Sequence, residues 1–232
     1  MRHIVCILFC FLSLISFGQF AIVNDKDGFV NLRRSPESTN NIIYTIPDKK
    51  IIYTWSRKGD WVQIEDLEGK DSIGYVYKSR IQLIEDFDSI PVKKATDNFL
   101  VFNNNQFKIT MTKVPFTTQN KKIEYKFYKS ANDTVKYPFR LNGKKLWGTF
   151  SSTPNTQYGK IQIETNGNNI NIPYEDYEDL FDPNLSSTMA NYDKVTSTLY
   201  ISAYNSDGVG AYAVLLIFRN NKYQNRFVLI PF

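Results

Sequence analysis

The chain has 232 residues, 28 Lys and Arg against 23 Asp and Glu, a net charge of +5, and 15% aromatic residues. So mild an excess of cations is no nucleic-acid signature, and the aromatic content suits β-rich folding and recognition surfaces. His3 is the only histidine, and Cys6 and Cys10 are the only cysteines. Residues after 18 therefore offer no Cys–His pair, no Ser–His–Asp triad, no zinc site of His or Cys, and no disulfide.

Arg2 precedes an almost wholly apolar run over residues 4–17, and Ser16 and Gly18 place small residues at −3 and −1 of a cut before Gln19. That is the layout of a secretory signal peptide over residues 1–18, so the protein is expected to be exported, periplasmic or secreted. The run falls short of the roughly 20 residues of a membrane span, and no span is expected in the mature chain. Phe9 before Cys10 departs from a lipoprotein signal. With Cys6, Cys10 and His3 removed, stability must come from burial.

Residues 20–84 read as short strands with Gly, Asp and Pro punctuation, the pattern of a small all-β barrel or sandwich. Ala21-Ile22-Val23 runs into a turn at Asp25-Lys26-Asp27-Gly28. Phe29, Asn31 and Leu32 begin a stretch that stops at Pro36. Further runs lie at Ile42-Ile43-Tyr44-Thr45-Ile46, at residues 51–55, at Trp61-Val62-Gln63-Ile64 and at Gly74-Tyr75-Val76-Tyr77. The Asp25–Gly28 turn fails as a calcium loop. Aligned on Gly28, the first and twelfth ligand positions are Val23 and Arg34, neither a carboxylate.

Asn31-Leu32-Arg33, Pro36, the strand ending at Ile46, Gly59-Asp60-Trp61-Val62-Gln63-Ile64 and Gly74-Tyr75-Val76-Tyr77-Lys78-Ser79-Arg80-Ile81 together resemble a bacterial SH3 domain. Asp48-Lys49-Lys50 departs from the family, which usually has a Gly before its third strand. The resemblance implies binding without catalysis, often of cell-wall peptides, as an accessory to another domain. It also implies an aromatic groove involving Tyr53, Trp55, Tyr75 and Tyr77, against the plainer reading that these rings fill the barrel. Arg33 falls in the family's framework. In an extended strand Arg34 points to the other side, which makes Arg34 the arginine expected to be free for a partner.

Residues 85–95 carry mixed charge, Pro91 and no period, and read as a linker. Residues 96–232 read as an antiparallel β-sandwich or barrel. Asn-Gly at 142–143 and 166–167 is a hairpin signal. A last hairpin is expected from residues 213–218 and 223–230 around Arg219-Asn220-Asn221-Lys222. One helix is expected over residues 173–181, with Tyr174, Tyr177, Leu180 and Phe181 on one face, a Pro start and Asp182-Pro183 as its stop. Its acids, Glu175, Asp176, Glu178, Asp179 and Asp182, are expected on a solvated face. Asn205-Ser206-Asp207-Gly208-Val209-Gly210-Ala211-Tyr212 reads as a tight hairpin turn, with Asp207 as the acceptor if the loop holds a ligand. Leu146-Trp147-Gly148-Thr149, Leu180-Phe181-Asp182-Pro183 and Asp207-Gly208-Val209-Gly210-Ala211-Tyr212 loosely resemble a C-terminal β-domain of uncharacterised bacterial envelope proteins, which brings no activity with it.

The expected class is all-β: a small SH3-like barrel followed by an antiparallel β-domain with one short helix. The expected function is that of an exported, non-catalytic binding protein contacting a peptidoglycan peptide or an envelope protein, with no cofactor, no metal and no nucleic acid. Two alternatives stand beside it. One is an envelope hydrolase acting through Glu175, Asp207, or Ser206 with a lysine. The other is a protective protein that blocks a toxin or lytic enzyme.

Overall fold

The computed structural model describes residues 18–69, 73–119, 121–130, 133–149 and 152–232. The expected signal peptide, apart from Gly18, lies outside the described residues. The first strands are β1 (Gln19–Val23), β2 (Phe29–Arg33), β3 (Ile42–Pro47), β4 (Ile51–Lys58), β5 (Trp61–Asp66), β6 (Ile73–Tyr77) and β7 (Ile81–Leu83). They form one sheet in the order β3-β2-β6-β5-β4-β1-β7, all neighbours antiparallel. Ala21, Val30, Leu32, Ile46, Ile52, Val62, Ile64 and Val76, from six of these strands, share one core. A sheet whose two ends feed a single core must curl over itself.

Next come β8 (Asp88–Ser89), β9 (Val92–Thr96), β10 (Phe99–Asn103), β11 (Phe107–Pro115), β12 (Ile123–Ser130), β13 (Asp133–Leu141) and β14 (Lys144–Lys145). They are followed by β15 (Thr156–Thr165), β16 (Asn168–Ile170), β17 (Met189–Asp193), β18 (Thr198–Asn205), β19 (Tyr212–Arg219) and β20 (Lys222–Leu229). The sheets β16-β15-β11-β10-β9 and β20-β19-β18-β17-β8 enclose a second core that includes Phe102, Phe107, Ile109, Ile163, Leu216 and Phe218. The hairpin β12–β13 with β14 makes a small separate sheet.

The protein is thus all-β, as its punctuation predicts. Three pairs of positive backbone angles fall where the sequence asks for them. Asn142 and Gly143 (φ 50° and 81°) turn β13 into β14, Asn166 and Gly167 (49° and 77°) turn β15 into β16, and Asn220 and Asn221 (51° and 59°) turn β19 into β20. Two consecutive positive φ values are what a two-residue hairpin turn needs to match strand twist.

Two expectations are corrected. The linker over residues 85–95 holds β8, which pairs with β17, and most of β9, which pairs with β10. The helix over residues 173–181 is one 3-10 turn, Tyr174–Asp176. Past it, the Trp147 N–H donates to the Asp179 carbonyl and the Phe181 N–H to the Trp147 carbonyl, at 3.0 and 2.9 Å. Leu180 enters the large core while its neighbour Phe181 packs on Leu141 and Leu146. Adjacent residues serving two opposite clusters require an extended chain, because side chains alternate only there.

The two parts of the chain share a third apolar layer. Phe20, Ile22, Ile51, Tyr53 and Ile84 of the first part pack on Tyr200, Ala213, Leu215, Ile217 and Leu229 of the second. The sequence Tyr212–Phe218 is therefore buried on both faces: Val214, Leu216 and Phe218 look into the sandwich, and Ala213, Leu215 and Ile217 into the seam.

Burial pushes the hydroxyls of Tyr158 and Tyr200 up to about 12 from an ordinary 10.0. Above pH 10 the unfolded tyrosines ionise while the folded ones hold their protons, so the folded state binds more protons and loses stability as pH rises. The stability from these groups is expected to be fully present below about pH 10 and lost by about pH 12, falling by about 1.4 kcal/mol per pH unit for each tyrosine. Urea melts at successive alkaline pH values measure this; a midpoint unchanged up to pH 12 would contradict it.

Candidate functional site

The outward faces of β2, β5 and β6 carry the residues left over once the barrel core takes its alternates. Val30 and Leu32 point in, so Phe29, Asn31 and Arg33 point out; Val62 and Ile64 point in, so Trp61 points out; Val76 points in, so Tyr77 points out. Trp61 and Tyr77 are directly opposite in register and meet edge to face, ring centres 5.3 Å apart at 88°. With Asp27, Ser79 and Arg80 these residues line an open groove of about 460 Å³. Phe29 is 43% exposed and Tyr77 37%, which is far from core behaviour for rings of this size.

Charges frame the rings. The Arg33 guanidinium lies 6.0 Å from the centre of the Trp61 ring. Its Nη1 donates to the Thr39 carbonyl at 2.8 Å and to Asn41 Oδ1 at 3.0 Å, which fixes the side chain across the groove. Arg80 Nη1 sits 2.9 Å from Asp25 Oδ2 and 3.3 Å from Asp27 Oδ2. Asp25 also accepts the Asp27 N–H at 2.8 Å, so the Asp25–Gly28 turn is a hydrogen-bonded turn that orients Arg80. At the other end, Lys78 and the Tyr77 hydroxyl hold the Asp60 carboxyl below the usual carboxylate range. Such a groove can stack apolar or planar groups on its rings and take carboxylates on its guanidinium groups.

Of the residues expected to bind a ligand, only Tyr77 lines this groove. Tyr53 is fully buried in the seam, its hydroxyl donating to the Gly18 carbonyl at 2.8 Å and lying 3.2 Å from the Tyr204 hydroxyl. No ligand reaches it. Trp55 is half-buried against the same seam, edge to face with Tyr53 at 5.0 Å. Tyr75 is half-buried on the outer face, paired with Gln63 and Arg33. Arg34 is exposed past the end of β2, and it is Arg33 that sits in the groove. Trp61 and Phe29, which line the groove, are not among the residues expected from the sequence. Period-two alternation against Val62 and Val30 was the signal that puts them outside.

The acids of residues 175–182 are in large part structural. Asp179 is buried and makes a two-pronged pair with Arg226, at 2.6 and 2.8 Å. Asp182 accepts from the backbone N–H groups of Asn155 and Thr156. Glu178 takes Asn142 and Lys144, and Glu175 is exposed. Asp207 is exposed, and the Ser206 hydroxyl donates to the Gly148 carbonyl at 2.7 Å.

The three C-terminal strings are neighbours in space. Phe181 bonds Trp147, Ser206 bonds Asp182 and Gly148, and the Tyr212 hydroxyl donates to the Phe181 carbonyl at 2.9 Å. Gly148 has φ 96°, and a Cβ there would lie 2.2 Å from the Phe181 carbonyl oxygen, so this junction is a packing knot. Among the described residues no group of three or more His, Cys, Asp and Glu is placed to hold a metal ion.

The fold and groove thus define an all-β protein with an exposed aromatic and basic face on its first sheet. Comparisons with family models, with curated proteins and with solved structures found no match.

Proposed function

We propose that this is an exported, non-catalytic binding protein whose first sheet, an SH3-like barrel, holds an extended peptide bearing carboxylates, such as a peptidoglycan stem peptide, in the Phe29–Trp61–Tyr77 groove. The observation that carries this reading is the outward-facing Trp61–Tyr77 ring pair beside Arg33, whose guanidinium is fixed in place by its own hydrogen bonds. A preorganised guanidinium loses little freedom when it takes a carboxylate. Glu175 and Asp207 are exposed rather than held in an apolar cleft, and the Ser206 hydroxyl is taken by the Gly148 carbonyl, which favours binding over hydrolysis through these groups. Export rests on the signal-peptide layout of residues 1–18. A cut before Gln19 removes the Gly18 carbonyl that accepts from Tyr53 and leaves Tyr204 as that hydroxyl's neighbour.

The test is co-sedimentation of the protein spanning residues 19–232 with purified peptidoglycan. The protein is expected in the pellet, and Trp61→Ala is expected to weaken retention at least about tenfold, as removal of a central aromatic anchor does. Trp61 points outward, so its truncation leaves the barrel core intact. Equal retention of the variant, or a protein that stays in solution, would overturn the reading. Recovery of a lytic enzyme as the bound partner would replace it with the protective alternative.

A further inference from the structure

Residues 121–145 hold eight Lys and Arg against two Asp and Glu, a local charge of +6. The whole chain carries +5, so everything else sums to −1. Four of the eight, Lys126, Lys129, Lys136 and Arg140, sit with Glu124 and Asp133 on β12 and β13, a hairpin anchored at its base, and the other four flank that base at residues 121–122 and on β14. There Leu141 packs with Leu146 and Phe181, and Ile123 and Phe116 pack against them. Beyond the base, residues 125–129 and 134–136 are all exposed, so both faces of the hairpin meet solvent. Phe127 is 67% exposed and Tyr128, on the opposite face, 61%.

Rings and cations are interleaved. Lys136 Nζ lies 4.2 Å from the Tyr125 ring centre, and Lys126 Nζ lies 3.6 Å from that of Phe139. Among the described side chains, Lys126, Lys136 and Arg140 form no ion pair. A groove on a protein partner asks for apolar groups on one face and polar groups on the other. Here each face carries both. The headgroup layer of an anionic bilayer accepts both at one depth, because rings settle at the edge of the hydrocarbon while lysine stems extend to the phosphates. The sequence Ser130-Ala131-Asn132-Asp133 is mostly polar, which suits a hairpin lying in that layer over one that spans it.

We infer that the β12–β13 hairpin is a membrane-surface anchor that binds anionic phospholipid. It is separate from the groove on the first sheet. The test uses the protein spanning residues 19–232 with vesicles of phosphatidylcholine alone, or with about a third phosphatidylglycerol. Sedimentation with the anionic vesicles only is expected, and it should be lost at about 1 M salt, where charges are screened beyond about 3 Å. Lys126→Gln with Lys136→Gln should weaken binding about 25-fold, about fivefold per charge. Phe127→Ser should weaken it at unchanged charge, and Trp61→Ala should leave it unaltered. Equal binding to neutral vesicles would overturn the inference. So would double-variant binding equal to that of the parent, or tighter binding to a single-stranded oligonucleotide than to vesicles. A hairpin-dependent dimer in sedimentation velocity, with no vesicle binding, would assign the surface to a second copy instead.

Discussion

Replacing Asp179 with Ala is expected to destabilise the protein by about 3–5 kcal/mol, because it leaves the Arg226 guanidinium partly buried and without its counter-charge. Asp179 is 1% exposed, and Arg226 reaches it with both Nη atoms while also donating to the Asp176 carbonyl at 2.9 Å. The pair ties the edge strand β20 to the segment that follows the 3-10 turn, so its loss also frees that segment. In a chain of this length the change corresponds to a fall in melting temperature of about 6–20 °C. Circular dichroism melts measure it. The double variant Asp179→Ala with Arg226→Met should recover most of the loss, since removing both charges takes away the uncompensated one. A double variant as unstable as the single one would show that the cost lies in packing and not in the charge.

The second large effect concerns the seam. Leu215 is fully buried among residues of both parts, and Leu215→Ala is expected to cost about 2–5 kcal/mol through lost burial and the cavity left behind. Because Phe20, Ile22 and Tyr53 pack on the outer face of β18 and β19, the first sheet and the sandwich are expected to unfold in one transition, in parent and variant alike. Hydrogen exchange under native conditions checks this. Strands β4 and β5 should show the same global opening free energy as β18 and β19, whereas two distinct values would show independent domains. For the same reason, binding experiments belong on the whole mature chain. A fragment ending at residue 84 exposes an apolar face that the intact protein keeps dry, and it would stick to peptidoglycan or vesicles unspecifically.

How much of this was legible depends on the kind of signal. The Asn-Gly pairs located their turns because few residues tolerate two positive φ values in sequence. The run Tyr212–Phe218 was expected only as one arm of a hairpin, and its burial on both faces came from the first sheet packing over it. The helix over residues 173–181 was misread because Tyr174, Tyr177, Leu180 and Phe181 fit a helical spacing by chance. The contacts that overrule that spacing come from Trp147, distant in sequence. Mean charge hid the hairpin, because +6 on 25 residues vanishes into a chain total of +5.

The sequence by itself determined the all-β class, the turn positions, and the absence of His and Cys chemistry after residue 18. Each of these follows from local backbone preference or from composition. Only the tertiary structure decided which aromatic side chains are free. Tyr53 and Tyr77 have similar local surroundings, but Tyr53 lies where the sheet of β17 to β20 closes over the first sheet, and Tyr77 lies on the open outer face. Exposure depends on what other elements cover, and that information sits more than a hundred residues away, at Tyr204 and Leu215.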